Sequence, residues 1–367
     1  MRASTADRRV GGVGGAGGSA GVAEALPAAA RSAFARRFTL PTRVLFVVLI
    51  VVSLAGAQIP LWLQYLPLAA SLVIFGLPHG ALDHLVPARL AGTRPSTRSI
   101  ARVVVLYALL GTATLALWAI APMLAFGLFI LLTWYHWGQG DLFAVLALDG
   151  AHHLRSRASK AAALLVRGAL PMVVPLVAQG DTYRSVEAGA TSVFGATGTP
   201  SLIPAVDPAI GTALIVGALV AYALVTGIAA RRSRQSRRSW LIDIADVALL
   251  AVFFAAVPAV LAIGLYFCLW HALRHIIRLS GIDPASTADL EAGRLGRPLW
   301  RFAVDAAPVT LIALVILIGL AVFGPRSTAD PEYLLGVYLV LLSALTVPHA
   351  VIVTVMDARQ RVWVTRQ

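Results

Sequence analysis

Charge is scarce in this chain: 13% of its 367 residues are charged, about half the share of an ordinary soluble domain. That shortage argues against a water-soluble fold. Cysteine is nearly missing too, and a single one, Cys268, excludes an intrachain disulfide and any cysteine-rich metal site. A bound metal must therefore use histidine and carboxylate. Also lacking are the roughly ten-residue stretches of alternating polarity that build a membrane β-barrel. The net charge is +13, yet no basic stripe with interleaved aromatics accompanies it, so nucleic acid is not expected as a partner.

What is present is 59% hydrophobic and falls in long apolar runs, among them 44–63, 103–133, 209–229 and 302–324. Each is near or above the ~20 residues that span a bilayer. Leu, Val and Ala run unbroken, so helices must satisfy the backbone inside lipid. The expected fold is all-α, a polytopic transmembrane bundle of about ten spans, near 43–58, 62–84, 103–120, 123–141, 161–179, 208–230, 241–257, 259–279, 303–323 and 333–356. Span 161–179 is interrupted by Arg167, Pro171 and Pro175 and is kept as a kinked helix, because removing it breaks the charge alternation downstream. Residues 180–207 read as one long outer loop.

The basic residues report topology. Alternate connections hold seven, four, four, five, four and three Lys or Arg, whereas the opposite ones hold only Arg184 and Arg326. Both termini are then cytoplasmic by the positive-inside rule. Residues 1–40, rich in Gly, Ala and Arg, read as a disordered cytoplasmic tail, residues 41–358 as the bundle, and 359–367 as a short basic tail. Arg8-Arg9 lies some 35 residues before the next apolar run, so no cleaved leader is expected.

Six of the eight histidines fall in or at the end of spans: His79, His84, His136, His271, His275 and His349. Their spans all run outside to inside under this topology, which brings the imidazoles to one depth on the cytoplasmic side. Ionisable groups inside a membrane normally face the bundle interior for a functional reason. His271 and His275 are four apart and share one helical face, a chelate spacing whose alternative is polar glue between helices. In Gly76-Leu77-Pro78-His79-Gly80-Ala81-Leu82-Asp83-His84, Asp83 follows His79 by four and is placed to accept its second ring N–H, the usual way to orient a metal-bound imidazole. His84 points about 140° away around the helix. His136 precedes Gly138, Gly140 and Asp141, with an interfacial aromatic belt as its alternative. His349 repeats a Pro-His step. His152 and His153 lie in a polar loop beside Arg155 and Arg157 and are expected to be solvated. Asp243 and Asp246 are expected to pair with the neighbouring arginine cluster or to favour a helix N-terminus.

Imidazoles without thiolate suit Fe, Zn or Cu alike. Asp83 and Asp141 keep a zinc hydrolase open, since such an enzyme wants a carboxylate base.

Four motifs in order, Gly-Leu-Pro-His-Gly-Ala-Leu-Asp-His at 76–84, His-Trp-Gly-Gln-Gly-Asp at 136–141, Trp-His-Ala-Leu-Arg-His at 270–275 and Pro-His at 348–349, together resemble the Brp/Blh family of microbial β-carotene 15,15′-dioxygenases. The resemblance covers about 43–357. It implies an enzyme of the cell membrane that cleaves the central double bond of β-carotene with O2 to two retinals, often to supply a microbial rhodopsin. It also implies Fe(II) held by His79, His136, His271 and His275. Asp83, His84, Asp141 and His349 match family positions near the site. A bilayer-soluble polyene fits entry between helices, with Phe75, Trp134, Tyr135, Trp137, Tyr266, Phe267 and Trp270 as candidate lining residues and ordinary packing as the competing explanation. Two other readings stand beside this one. A di-iron membrane desaturase or hydroxylase wants about eight clustered histidines, and only one HxxxH is present. A non-enzymatic retinal or proton-coupled carrier, using His and Asp as a relay, requires no stoichiometric iron.

Overall fold

The computed structural model of the chain describes residues 26–195, 200–201, 203, 205–323 and 331–365. Among these the regular structure is entirely helical. In chain order the main helices are α1 (Ala28–Leu54), α2 (Leu61–Leu90), α3 (Thr97–Ile120), α4 (Pro122–Ala147), α5 (Arg157–Ala178), α6 (Gly180–Ser192), α7 (Pro208–Ala230), α8 (Arg234–Ala256), α9 (Ala259–Gly281), α10 (Gly296–Phe323) and α11 (Pro331–Arg359).

Nine of these helices are long and apolar enough to cross a membrane. The others are α4 and α6. Helix α4 has 26 residues, about 39 Å at 1.5 Å per residue, but His136, Gln139 and Asp141 dilute its apolar character. With α4 the bundle has the ten long helices that the apolar runs imply.

Burial is inverted relative to a soluble protein. In the most apolar window of α9, 83% of residues are buried, against 11% in α3 and 17% in α7. The outer helices instead expose Leu109, Leu214 and Val315, as expected where the surroundings are lipid rather than water. Helix α9 is thus the central element.

Local sequence explains where elements start and bend. Ser156 accepts from the Ser159 N–H in a capping box that opens α5, and Asp207 caps α7 ahead of Pro208; both devices satisfy otherwise orphaned N–H groups. Helix α2 is broken into Leu61–Val73, Gly76–Ala81, a 3-10 turn Asp83–Leu85 and Val86–Leu90. Within α9 the stretch Tyr266–Ala272 is π-helical, a form found mostly as short bulges at functional sites.

Two expectations need correction. The segment before residue 40 is helical from Ala28, because Leu26, Ala30, Ala33 and Phe34 form a buried stripe against Leu273, Ile277 and Leu290; residues 1–25 lie outside the described residues. Residues 180–207 are no simple loop, since α6 docks on α11 where Gly189 meets Gly336, a contact too close for any Cβ. The basic C-terminal segment is tied down by the Lys160 ammonium, which donates to the carbonyls of Val362 (2.8 Å) and Val364 (2.6 Å).

Helix α5 is continuous despite Pro171 and Pro175. Its fully buried Arg167 is neutralised by Asp141 of α4 (2.8 Å) and Asp243 of α8 (2.5 Å). Asp246 pairs with Arg43 of α1 (2.6 Å). Neither aspartate bonds the 231–238 arginines, because both side chains point into the bundle, where buried charges must be paired.

Candidate metal centre

The site is assembled from the C-terminal halves of α2, α4, α9 and α11, which deliver His79, His136, His271 with His275, and His349 to one buried cluster, with His271 beside the two close groups of ligand atoms and not part of either. The His349 ring lies 5.0 Å from His79, 4.8 Å from His136 and 5.0 Å from His275, centroid to centroid. His79 lies 5.8 Å from His271 and 5.7 Å from His275, and His136 lies 5.0 Å from His271. The nitrogens offered by His79, His136 and His349 all fall within 4.8 Å of one another, and the same holds for the ligand atoms of Asp83, His275 and His349. All five histidines are buried.

Their nitrogens lack ordinary partners. Both ring nitrogens of His136 and the Nε2 atoms of His271, His275 and His349 are buried without a hydrogen bond among the described residues. One such orphan costs about 1–3 kcal/mol, and native proteins keep them few. Buried imidazole nitrogens gathered without hydrogen-bond partners are what a bound cation requires, so the donor set fits a metal ion. The set holds no thiolate, since Cys268 bonds the Pro67 carbonyl instead.

The outer contacts differ from the sequence reading. Asp83 accepts from His349 Nδ1 at 2.7 Å and from the Tyr107 hydroxyl at 2.6 Å, not from His79, whose Nδ1 donates to the Gly76 carbonyl. The reason is the helix break after Ala81, which turns Asp83 off the face that regular i,i+4 geometry assigns it. Asp141 touches no histidine. It accepts from Trp270 Nε1 (2.9 Å), Arg274 (3.1 Å) and Arg167 (2.8 Å) and so pins the π-helical stretch of α9 against α4. His84 faces the Ala81 carbonyl at 3.0 Å, outside the cluster. His153, expected in solvent, is fully buried between Ser239 and Asp243, 3.0 Å from each. His152 accepts from the Gln235 amide at 2.7 Å.

Two glycine contacts set the spacing. A Cβ on Gly140 would lie 3.0 Å from His271 Cε1, so a side chain there would push that ring aside by a few tenths of an ångström. Gly138 and Gly168 let the α4 and α5 backbones meet at a separation no side chain permits, which brings Arg167 to Asp141.

Of the seven candidate lining residues, two reach the histidines. Trp137 stacks on Phe267 (5.8 Å, 16°) and leans over His271 (5.6 Å), while Phe267 meets the edge of His79 at 5.5 Å. Tyr266 and Trp270 are packed behind them in the core. Trp134 donates to the Leu165 carbonyl, Tyr135 is 41% exposed, and Phe75 packs at the rim of two side clusters.

Empty space adjoins the cluster on other walls. An open cavity is lined by His79, Gly80, Tyr107, Leu342, Thr346 and His349. A second, almost wholly apolar and lined by none of the histidines, begins at Thr133, one helical turn from His136, and runs between Phe129, Ile263 and Leu339. Tyr107 and Thr133 carried no signal in the sequence, since each sits alone in an apolar run.

Fold and site together define a polytopic helical membrane protein with a buried cluster of histidines inside its bundle that is compatible with a metal site. Residues 70–357 match the family model described as beta-carotene 15,15′-dioxygenase. The chain is 41% identical over 313 residues to the probable beta-carotene 15,15′-dioxygenase Blh of Halobacterium salinarum, covering 84% of this chain and 89% of that protein. It is 31% identical over 329 residues to the probable beta-carotene 15,15′-dioxygenase Brp of the same organism, covering 84% and 88%. This chain belongs to the β-carotene 15,15′-dioxygenase family. No solved structure matches it.

Proposed function

We propose that this chain is a cell-membrane enzyme that cleaves the central 15,15′ double bond of β-carotene with O2, giving two retinals, and that His79, His136, His271 and His275 hold the Fe(II) it requires. The observation that carries this is the convergence of buried imidazoles with unpartnered nitrogens beside two largely apolar cavities, within helices whose outer faces are greasy. Bound iron supplies the one-electron chemistry by which O2 reacts with an alkene.

The chain's own residues do the rest. The Gly76 carbonyl holds His79 by Nδ1, leaving Nε2 for the metal. Trp137 and Phe267 cover the imidazoles and keep water away from them. A polyene offers no polar handle, so shape must choose the bond. One cavity touches His79 and His349, and the other starts a turn from His136; they are suited to the two halves of a long symmetric substrate, leaving its middle at the cluster. Holding the reacting bond in this way is the main service positioning can provide.

Against a di-iron desaturase, the remaining histidines of the chain, His84, His152 and His153, bond elsewhere, so none is left for a second ion. Both termini are assigned to the cytoplasm from the arginine distribution, and supply of retinal to a rhodopsin is the natural use of the product.

Expression in cells that accumulate β-carotene tests the reading. Wild type is expected to bleach the pigment and yield retinal, and His271→Ala to do neither. Undiminished pigment with wild type overturns the assigned activity, and retained cleavage in His271→Ala overturns the assigned site.

A further inference from the structure

We infer that His349 is a fifth imidazole ligand, oriented by Asp83, and that the metal centre is therefore built from five histidines rather than four. The inference rests on the metal site proposed above and goes beyond it in ligand number.

The geometry is specific to this residue. Its ring stands within 5.0 Å, centroid to centroid, of three other members of the cluster, His79, His136 and His275. Its Nδ1 is held by the Asp83 carboxylate at 2.7 Å. With the proton on Nδ1, the lone pair lies on Nε2, and that atom is buried and unpartnered among the described residues. A neutral imidazole with one nitrogen bonded to a carboxylate and the other bare is the usual form of a metal-bound histidine. No other histidine of the cluster bonds a carboxylate among the described residues. The Tyr107 hydroxyl fixes Asp83 in turn, at 2.6 Å. Tyr107 and His349 also line the same cavity, so this arm of the centre stands at the mouth of one proposed substrate arm. Packing alone would not explain a buried, unpartnered nitrogen on a ring set among three other imidazoles.

The test uses purified full-length protein in detergent, stripped and reloaded with Fe(II) or Co(II). It measures metal per chain, affinity by chelator competition, and the visible ligand-field bands of the cobalt form. His349→Ala is expected to weaken metal binding by about 10- to 100-fold and to alter the cobalt bands, with Asp83→Asn weakening it less, on the scale of lost outer hydrogen bonds. His271→Ala is the reference variant, and His349→Gln, which keeps a polar side chain of similar reach, covers the case in which the alanine variant does not fold. Wild-type affinity and unchanged cobalt bands in both His349 variants, with His271→Ala defective, overturn the fifth ligand and leave the metal site standing. Wild-type affinity in His271→Ala as well overturns the metal site itself.

Discussion

Single atoms decide the spacing of the cluster. Gly140 faces the His271 ring so closely that a methyl group there would sit 3.0 Å from Cε1, a contact relieved only by moving the imidazole. Gly140→Ala is therefore expected to cut retinal yield more than about tenfold while the protein still accumulates, since small misplacements of reacting groups are expensive; retinal per unit of expressed protein checks this. Span direction made all five clustered histidines legible, because each lies in the second half of a span of the same direction, although it also drew in His84, which faces the Ala81 carbonyl instead. The partner of Asp83 was not legible. Spacing pointed to His79, whereas the helix break at Ala81 hands the carboxylate to His349, 266 positions away. His153 was misread for a similar reason: Ser239 and Asp243, which bury it, come from a distant helix.

Elements are locked together by buried charge. Arg167 of α5 joins Asp141 of α4 to Asp243 of α8, and Asp243 also accepts from the Tyr222 hydroxyl of α7 at 2.5 Å. Arg167→Met would leave the buried Asp243 without an arginine and Asp141 with Arg274 alone, a loss of about 3–5 kcal/mol by analogy with other broken buried pairs. A fall of several degrees in the thermal unfolding midpoint in detergent is expected, and an unchanged midpoint would contradict the role given to Arg167. The same helix was the least secure in the sequence, because a charge and two prolines inside an apolar run look like an interruption. The run length and the charge alternation nonetheless fix α5, and pairing removes the cost. The N-terminal part of α1 and helix α6 escaped detection because their buried stripes are short and built largely of Ala, Gly and Ser, residues that also fill loops.

Across the whole molecule, apolar run length was enough for fold class and for ten long helices, nine of them apolar enough to cross a membrane among the described residues, since lipid leaves the backbone no alternative to helix or closed barrel. It was not enough for the cavities, whose walls come from four helices in one case and six in the other and whose residues, such as Leu339, Leu342 and Ile263, look like any other bundle leucine or isoleucine. The bundle encloses a buried cluster of histidines, and on the function proposed above one ion held there is responsible for cleavage. The most direct measurement is a back-titration: strip the purified protein of metal, add Fe(II) stepwise, and follow retinal formation from β-carotene under air. Activity is expected to be absent in the stripped protein, to rise linearly, and to level off at about one Fe(II) per chain. Full activity without metal, or saturation only at about two ions per chain, would contradict it.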